Sequence, residues 1–394
     1  MNKIQYIDEV EIKNKKVLMR VDFNVSLNPN YTIADDARIK QSLSTINSLL
    51  KNNNRLIIVS HLGRPKTRDP KYSLRIVVDR LREYLPDYKI TLIDNFLTED
   101  KKTFQNQPSN EILVLENIRF YPEEKKNDQE FAKKLASLAQ VYVNDAFAVS
   151  HRVEASVVGV TSYLPGYGGL LLKREIEMIT RVITNPQKPF VAIIGGAKVS
   201  TKITLINKLT EIADYVLIGG GLANTFICAQ GYNIGKSFCE YEVVSQARKL
   251  LHMAHRKNTE IVLPTDGVIG KMEETNGASQ VKKINEISQD AQILDIGPET
   301  QAKFGAIIAK AKTIIWNGPV GYFENPAFRR GTDFIYYAIA HNQEAVSIVG
   351  GGDTLAAISK KEYLDKITYI STGGGAMLEL IEKGTLPGIE ALKR

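Results

Sequence analysis

Short apolar runs alternate with longer amphipathic stretches along almost the whole chain. This alternation is typical of stacked βαβ units, in which the strands form a parallel sheet. In the first half, the pattern predicts strands over residues 16–21, 55–60, 111–116 and 141–144. In the second half, it predicts strands over residues 190–194, 215–218, 260–263, 313–316, 346–349 and 367–370. We therefore expect an α/β protein built around parallel sheets.

The amphipathic stretches between these runs have the helical period of about 3.6 residues. The clearest predicted helices cover residues 39–51, 128–139, 199–212, 243–256 and 325–340. The pattern breaks near residues 162–169 (SYLPGYGG), and an amphipathic stretch over 170–184 follows. We interpret this region as a domain boundary with a connecting helix. We therefore expect two α/β halves with parallel sheets, joined by this connecting helix.

The chain has 394 residues, which allows two or three domains, and its 43% hydrophobic and 24% charged residues are ordinary for a globular protein. The only cysteines are Cys228 and Cys239, which indicates a reducing compartment rather than a disulfide framework. The N-terminus has no apolar signal-peptide core, and no apolar run approaches the ~18 residues of a membrane span. We therefore expect a cytoplasmic protein without a membrane partner.

The net charge of +7 favours anionic partners, which on charge alone include nucleic acid. Basic clusters such as Lys125-Lys126 and Arg329-Arg330 are short and lack interleaved aromatic residues. Such clusters are typical of solvated faces. We therefore expect small anionic ligands and no nucleic-acid partner.

Ligands of open parallel sheets bind outside the carboxyl ends of the strands, so the residues that follow each predicted strand are the candidates. In the first half these segments are VDFN (21–24), SHLGRP (60–65), ENIRF (116–120), VNDAF (143–147) and SHR (150–152). In the second half they are GGAK (195–198), GGG (219–221), LPTD (263–266), NGPVG (317–321), GGGD (350–353) and TGGG (372–375). The first set is rich in Arg, His, Asn and Asp, whereas the second is rich in Gly.

Guanidinium groups bind carboxylate and phosphate, while glycine turns before helices let phosphates approach the backbone. The two sets together indicate a protein that brings a phosphorylated nucleotide to a small anion. Any one arginine is more typical of a surface ion pair, but four near strand ends make coincidence a weak explanation. These four are Arg38, Arg64, Arg119 and Arg152. The nearby histidines lack the spacing of a metal site.

Several residues of the second half have an ordinary structural explanation as well as a functional one. Lys198 and Lys202 are four residues apart on a predicted helix, where they form either a solvated face or a phosphate contact. Asp353 follows three glycines and is either a metal-linked carboxylate or a helix N-cap. The glycines of TGGG form either a tight turn or an anion seat at a helix N-terminus. The residues alone leave these alternatives open.

Several common nucleotide-binding signatures are absent from the chain. It has no G-x-x-x-x-G-K-[ST] segment, no H-R-D or D-F-G signature, and no strand-linked G-x-G-x-x-G with a following acidic residue. P-loop proteins, protein kinases and dinucleotide oxidoreductases are therefore excluded.

Taken together, the motifs resemble those of the phosphoglycerate kinase family over essentially the whole chain. In the first half the resemblance rests on RVDFNV (20–25), DDARI (35–39), HLGRP (61–65) and VNDAF (143–147). In the second half it rests on GGAKVSTKI (195–203), IGGGLANTF (218–226), WNGPVGYFE (316–324), GGGDT (350–354) and STGGGA (371–376). Their number, order and spacing make the match specific.

The resemblance implies a Mg²⁺-dependent phosphotransferase with a carboxyl group as acceptor. It implies reversible transfer of the acyl phosphate of 1,3-bisphosphoglycerate to ADP, which yields 3-phosphoglycerate and ATP. We also expect direct in-line transfer with charge neutralisation, domain closure that excludes water, and a monomeric protein.

Site residues follow from the resemblance position by position. The implied phosphoglycerate site consists of Asp22, Phe23, Asn24, Arg38, His61, Leu62, Gly63, Arg64, Arg119 and Arg152. The implied nucleotide site consists of Lys198, Lys202, Gly220, Asn317, Glu324, Gly351, Gly352, Asp353 and Thr354. The implied catalytic groups are Arg38, Lys198, Gly373, Gly374 and Gly375. Asp353 is the implied ligand of Mg²⁺, and a Cβ on the TGGG glycines is expected to block the approach of the phosphoryl group.

The resemblance also implies an α/β fold of two doubly wound, Rossmann-like domains joined by a hinge helix. A phosphoglycerate-binding domain is expected over residues 1–169, a hinge helix over 170–186 and a nucleotide-binding domain over 187–377. The tail, residues 378–394, is expected to pack back on the first domain.

The chain departs from the family pattern at three positions. Glu154 stands in HRVEAS where the family usually has a histidine, Ile293 stands where a glycine is usual, and Ser26 stands where a proline is common. We therefore assign no nucleotide contact to Ile293. None of these departures removes a charged group from the implied transfer centre.

Two other functions compete with this one. A kinase for another acyl or carboxyl substrate, such as acetate, would not need so many arginines and histidines, because its ligand lacks a second phosphate. A non-catalytic two-lobed binding protein would not need two lysines, Asp353 and the TGGG helix start together.

Overall fold

The computed structural model describes residues 3–273, 279–358 and 361–393, without the side chains of residues 361 and 362. The chain forms two compact units. The first consists of Met1–Glu177 together with Thr385–Arg394, and the second consists of Met178–Gly384. Among the described residues, no helix is both long and apolar enough to cross a membrane.

The core of the first unit is a six-stranded parallel sheet. Across the sheet, the strands follow the order Lys89–Ile93, Glu111–Leu115, Arg55–Val59, Lys16–Arg20, Val141–Asn144 and Gly166–Gly168. The helices that connect them are Ala37–Lys51, Arg75–Tyr84, Lys101–Gln105, Pro122–Lys125 and Gln129–Ala136. A small antiparallel ribbon, Ser26–Leu27 with Ile33–Asp35, follows the first strand. The sheet order reverses at Lys16–Arg20, and ligands of doubly wound sheets bind at such a reversal.

The second unit contains a parallel sheet in the order 3-2-1-4-5-6, which is common among nucleotide-binding folds. In space its strands are Glu260–Val262, Tyr215–Ile218, Phe190–Ile194, Thr313–Asn317, Val346–Val349 and Tyr369–Ile370. Its helices are Ile203–Ile212, Gly221–Ala229, Val244–Arg256, Pro298–Ile308, Arg330–His341, Gly352–Ala357 and Gly374–Lys383. The predicted fold class, α/β with two doubly wound parallel sheets, is confirmed.

In the described part of the chain, the apolar runs do not predict seven of the strands. Four of these lie in the first unit, and they are Ser26–Leu27, Ile33–Asp35, Lys89–Ile93 and Gly166–Gly168. The other three, Gln280–Lys283, Asp266–Ile269 and Ile293–Ile296, form an antiparallel sheet in the second unit. All four side chains of Gln280–Lys283 are at least partly exposed, so polar residues occupy it. Lys89–Ile93 lies at the edge of the first sheet, and the polar residues Lys89 and Thr91 interrupt its apolar run.

Two predicted helices begin later than expected. The helix predicted from residue 199 begins at Ile203, because residues 199–202 form turns after the glycine loop. Lys198 and Lys202 therefore lie before the helix and not on one helical face. The helix predicted from residue 325 begins at Arg330, because Asn325 instead caps a separate 3-10 turn by accepting a hydrogen bond from the Ala327 N–H at 2.9 Å.

Residues 162–169 belong to the first unit, and the division between the units follows them. Gly166–Gly168 is the edge strand of the sheet and pairs in parallel with Val141–Asn144. A Cβ on Gly168 would lie 2.5 Å from the ring of Tyr6, so glycine here permits close packing. The units divide in sequence between Glu177 and Met178, inside the helix Leu170–Thr184. A hinge role for this helix stays a prediction.

The C-terminal tail joins the first unit only from Thr385, later than expected. Residues 378–383 instead continue the helix Gly374–Lys383, which ends at Gly384 with a left-handed φ of +74°. Within the tail, the Gly388 N–H donates to the Ser150 carbonyl at 2.8 Å, and Leu392 packs close to Gly166. The tail therefore completes the first unit beside the segment that carries Arg152.

A buried carboxylate caps the helix Leu170–Thr184. Asp145 Oδ1 accepts hydrogen bonds from the N–H groups of Leu171 at 3.0 Å and Leu172 at 3.3 Å. Burial raises the pKa of Asp145 to about 7, although hydrogen bonds from Thr45 and these two backbone groups act in the opposite direction. The folded protein therefore holds a proton on Asp145 at pH values where the unfolded chain has lost it.

We expect Asp145→Asn to change the pH dependence of stability. Between about pH 4 and pH 7 the native state binds the extra proton, so wild-type unfolding free energy falls as pH rises, by up to about 1.4 kcal/mol per pH unit from this group. The variant lacks this titration, so its stability relative to wild type should rise across that window and level off above it. Urea unfolding at a series of pH values measures the difference.

The difference between the two proteins is the quantity to compare, because burial also raises the pKa values of Glu124 and Asp295 to about 7. Parallel stability curves for wild type and Asp145→Asn would contradict the prediction.

Candidate functional site

In the first unit, charged side chains meet beyond the carboxyl ends of neighbouring strands. The guanidinium of Arg38 pairs with the carboxylate of Asp22. His61 Nδ1 lies 3.7 Å from Asp22 Oδ1 and 3.4 Å from Nη2 of the fully buried Arg20. Because adjacent parallel strands end at the same edge, residues distant in sequence become neighbours here.

Hydrogen bonds to Gly63 tie two more predicted residues into this site. The Asn24 side-chain oxygen accepts from the Gly63 N–H at 2.7 Å, and Arg119 Nη1 donates to the Gly63 carbonyl at 2.8 Å. The hydrogen bond through Nη1 therefore holds the Arg119 side chain in place.

Arg119 and Arg152 both face the carboxylate of Glu154. Nη2 of Arg119 lies 3.6 Å from Glu154 Oε1, and Nη1 of Arg152 lies 3.5 Å from the same oxygen. Arg64 is exposed and has neither a hydrogen bond nor an ion pair with any described residue. The structure therefore gathers Arg38, Arg119 and Arg152 in internal contacts and leaves Arg64 in solvent.

The positive charge of this site helps to lower the pKa of His61. Burial lowers the pKa of His61 well below its ordinary value, and four nearby guanidinium groups lower it further. These groups belong to Arg20, Arg119, Arg152 and Arg38. His61 is therefore neutral at physiological pH and can donate or accept a hydrogen bond without adding a charge.

Two predicted phosphoglycerate residues have their side chains in the core. Phe23 is fully buried and Leu62 is nearly so, and both pack in the hydrophobic cluster of the first unit. Only their backbone groups are suited to ligand contact, since apolar side chains inside a core position the loops that carry them.

In the second unit, Lys202 bridges two strand ends. Its Nζ donates to the Gly195 carbonyl at 2.8 Å and to Asn317 Oδ1 at 2.9 Å. Burial lowers the pKa of Lys202 to about 8, against the opposing attraction of Asp353. An ammonium group has three donors, so one N–H remains for a ligand. Lys198, on the same loop, is exposed.

A hydrogen-bonded network holds the glycine loop that precedes Asp353. Asn317 Nδ2 donates to the Gly350 carbonyl at 2.7 Å, and Thr354 Oγ1 donates to the same carbonyl at 3.0 Å. Thr354 Oγ1 also accepts from the Gly318 N–H at 2.7 Å. Gly351 has a φ of +116°, which favours glycine, and its position faces both side chains of the network. The side chains of Asn317 and Thr354 therefore hold the backbone of the glycine loop in its conformation.

The helix Gly374–Lys383 begins against this loop. A Cβ on Gly374 would lie 2.3 Å from Gly351 Cα and 2.6 Å from Gly351 N. Close approach to the loop backbone is therefore one reason for glycine at position 374, and the expected blocking of the phosphoryl group by a Cβ stays a prediction. A Cβ on Gly352, in contrast, would meet nothing within 4 Å.

Two clefts in the second unit collect the predicted nucleotide residues. The first, which we call the phosphate cleft, has a volume of about 350 Å³. The predicted residues that line it are Lys198, Lys202, Asn317, Gly351, Gly352, Asp353, Thr354, Gly374 and Gly375. The second, which we call the base cleft, has a volume of about 320 Å³ and is lined by Gly220, Glu324 and Asp353, among others. Gly373 lines neither cleft and caps the helix that starts at Gly374.

The phosphate cleft suits a magnesium ion that arrives with a nucleotide. Asp353 is its only carboxylate among the described residues, and it is exposed at the start of a helix. In the described part of the chain, no group of three or more His, Cys, Asp and Glu residues could hold a metal ion by itself. Mg²⁺ commonly keeps several waters and binds through one or two carboxylates plus substrate phosphates, so a single aspartate fits it.

Several residues that shape the site are missed by sequence reasoning. Arg20 Nε donates to Ser156 Oγ at 2.8 Å, and this hydroxyl donates to Glu124 at 2.5 Å, which anchors Arg20 behind His61. Glu240 accepts from both the N–H and the hydroxyl of Ser200 and so anchors the lysine loop. Arg20 precedes VDFN directly, which is a usable signal, whereas the other partners lie far away in sequence.

Comparison with known proteins agrees with this geometry. The family model described as phosphoglycerate kinase matches residues 7–384. A phosphoglycerate kinase of Dictyoglomus turgidum is 48% identical over 383 residues, which are 97% of this chain and 96% of the relative. A cytosolic phosphoglycerate kinase of Nicotiana tabacum is 44% identical over 389 residues, 98% of this chain and 97% of the relative.

A solved structure is similar over the same extent. The phosphoglycerate kinase of Coxiella burnetii superposes with a TM-score of 0.86 at 40% identity and covers 99% of this chain and 98% of its own. The chain therefore belongs to the phosphoglycerate kinase family, whose members are phosphotransferases with a carboxyl group as acceptor.

Proposed function

We propose that this protein transfers the acyl phosphate of 1,3-bisphosphoglycerate to Mg-ADP, reversibly, and so forms 3-phosphoglycerate and ATP. The observation that carries the proposal is that most of the predicted nucleotide residues line one phosphate cleft of about 350 Å³, together with the predicted catalytic residues Lys198, Gly374 and Gly375. The arginines around His61 supply the matching anion site for phosphoglycerate.

The chemistry fits a site without a general base. Toward ATP the leaving group is a carboxylate, and in reverse the nucleophile is a carboxylate that is already ionised at neutral pH. The protein therefore needs to position both ligands in line and to neutralise charge on the transferred oxygens. In this proposal Lys198, Arg38 and the start of the helix Gly374–Lys383 contribute that positive potential.

Asp353 would hold the Mg²⁺ of the nucleotide. When bound, that ion would neutralise phosphate charge alongside the lysines of the cleft. Lys202 would contribute its remaining N–H to a phosphate oxygen, and Glu324 in the base cleft would accept hydrogen bonds from the ribose hydroxyls.

The proposal includes a closed state. In-line transfer requires that the two ligands meet, and water must be excluded because an acyl phosphate hydrolyses readily. Movement about the helix Leu170–Thr184 would serve this purpose. We also propose that the protein acts as a cytoplasmic monomer on small molecules, which agrees with its two free cysteines and short basic clusters.

A coupled assay tests the function. We expect NADH oxidation when the protein is incubated with Mg-ATP, 3-phosphoglycerate and the dehydrogenase that reduces 1,3-bisphosphoglycerate. The signal should disappear without 3-phosphoglycerate and should not return with acetate. ATP-dependent phosphorylation of acetate would favour the rival acyl kinase, and ligand binding without turnover would favour a non-catalytic binding protein.

A further inference from the structure

The first unit places a carboxylate inside its arginine cluster. Glu154 is only 4% exposed, and its Oε1 lies within 3.6 Å of guanidinium nitrogens of both Arg119 and Arg152. The arginine cluster of the first unit therefore contains a nearly buried carboxylate.

The two ion pairs are looser than hydrogen bonds. Distances of 3.5 and 3.6 Å exceed the 2.7–2.9 Å that is typical of charge-assisted hydrogen bonds. Among the described residues, Glu154 Oε2 and the Nε and Nη2 atoms of Arg119 have no hydrogen-bond partner. One edge of the buried Arg119 guanidinium thus carries two donors that Glu154 does not satisfy.

Charge balance explains what the carboxylate does in the empty site. The guanidinium groups of Arg119, Arg152 and Arg20 repel one another, and Glu154 is the strongest of the carboxylates that act on Arg119. Without a ligand, the carboxylate therefore holds the arginines near one another. When a phosphate is bound, the same carboxylate repels it. This repulsion is strong because the two charges are close and the protein between them has a low dielectric constant.

We propose that Glu154 is an internal counter-ion, which positions Arg119 and Arg152 while the site is empty and weakens the binding of phosphoglycerate so that it leaves faster. The inference rests on the proposed function only for the identity of the anion. The interaction itself applies to any small divalent anion, including sulfate.

Removal of the charge should tighten anion binding. We expect Glu154→Gln to bind sulfate and 3-phosphoglycerate about ten-fold more tightly than wild type in isothermal titration, because a single charge at this range contributes on the order of that factor. Glu130→Gln, which removes an exposed charge of the same sign in the same unit, should leave both dissociation constants within about two-fold of wild type.

Kinetics separates this role from a merely structural one. In Glu154→Gln, KM for 3-phosphoglycerate should fall in the assay that consumes it, and kcat should fall in the ATP-forming direction, where 3-phosphoglycerate is the product and its tighter binding slows release. Structural damage would lower kcat without lowering KM. Glu154→Asp keeps the charge and should stay close to wild type. Glu154→His restores the usual family residue and should bind anions more tightly, and it replaces Glu154→Gln if that variant does not fold.

The outcomes are distinct. Unchanged or weaker sulfate binding in Glu154→Gln, or equal tightening in Glu154→Asp, would overturn the counter-ion role. If wild type binds sulfate but not 3-phosphoglycerate, the proposed function fails, while the sulfate comparison still decides the role of Glu154.

Discussion

Lys198→Ala is expected to lower kcat by roughly a hundred- to a thousand-fold, because the lysine would neutralise charge that develops on the phosphoryl group during transfer. Lys198 is exposed and lines the phosphate cleft, so its loss should leave the unfolding free energy within about 0.5 kcal/mol of wild type. The dissociation constants for Mg-ADP and 3-phosphoglycerate should change by less than about three-fold. Steady-state kinetics and isothermal titration measure the two effects.

A matched control is available on the same unit. Lys249 is also exposed but lies on the helix Val244–Arg256, and neither cleft includes it. Lys249→Ala should therefore keep wild-type kcat. If Lys198→Ala loses affinity for Mg-ADP by the same factor as it loses kcat, the lysine binds the ground state and has no special role in the transition state.

Gly374→Ala is expected to destabilise the protein by about 2 kcal/mol or more, because the new methyl group would overlap the backbone of Gly351. The overlap pushes the helix start away from the loop that carries Asp353, so turnover should fall as well. Chemical unfolding and the coupled assay measure the two losses.

Gly352→Ala is the matched comparison for Gly374→Ala. Its Cβ points into open space in the phosphate cleft, so stability should stay the same or rise slightly. Affinity for Mg-ADP should nevertheless fall several-fold, since bare backbone at a helix start lets phosphate approach closely. Equal stability losses in both variants would show that the cleft offers no such room, and unchanged affinity in Gly352→Ala would argue against a phosphate there.

Much of the fold can be predicted from the sequence because buried parallel strands, and therefore their ends, can be recognised in it. Buried parallel strands such as Phe190–Ile194 are continuous apolar runs, and the residues after them must emerge at the ligand-binding edge. For this reason the segments that contain Lys198, Asn317 and Asp353 are candidates on the strand pattern alone, whereas Lys202 is implied by the family resemblance. Strands with exposed side chains, such as Gln280–Lys283, give no such run and are missed.

Contacts between segments were not predictable in the same way. Glu154 is visible as a departure from the family pattern, but only the folded loops reveal that it faces Arg119 and Arg152. The reason for Gly374 is similar, because it depends on the approach of Gly351 from a neighbouring strand end. Local sequence predicts which strand or loop carries a side chain. The residues that this side chain contacts depend on how distant segments pack together.

The tail has a consequence for the order in which the chain folds during synthesis. Because Thr385–Arg394 belongs to the first unit, that unit remains incomplete while the ribosome makes the entire second unit. At about 5–20 residues per second, the interval lasts roughly ten to forty seconds. Throughout it, the Ser150 carbonyl lacks Gly388, its native hydrogen-bond donor. The second unit, which is continuous in sequence, can therefore finish folding before the first unit, although most of the first unit is made earlier.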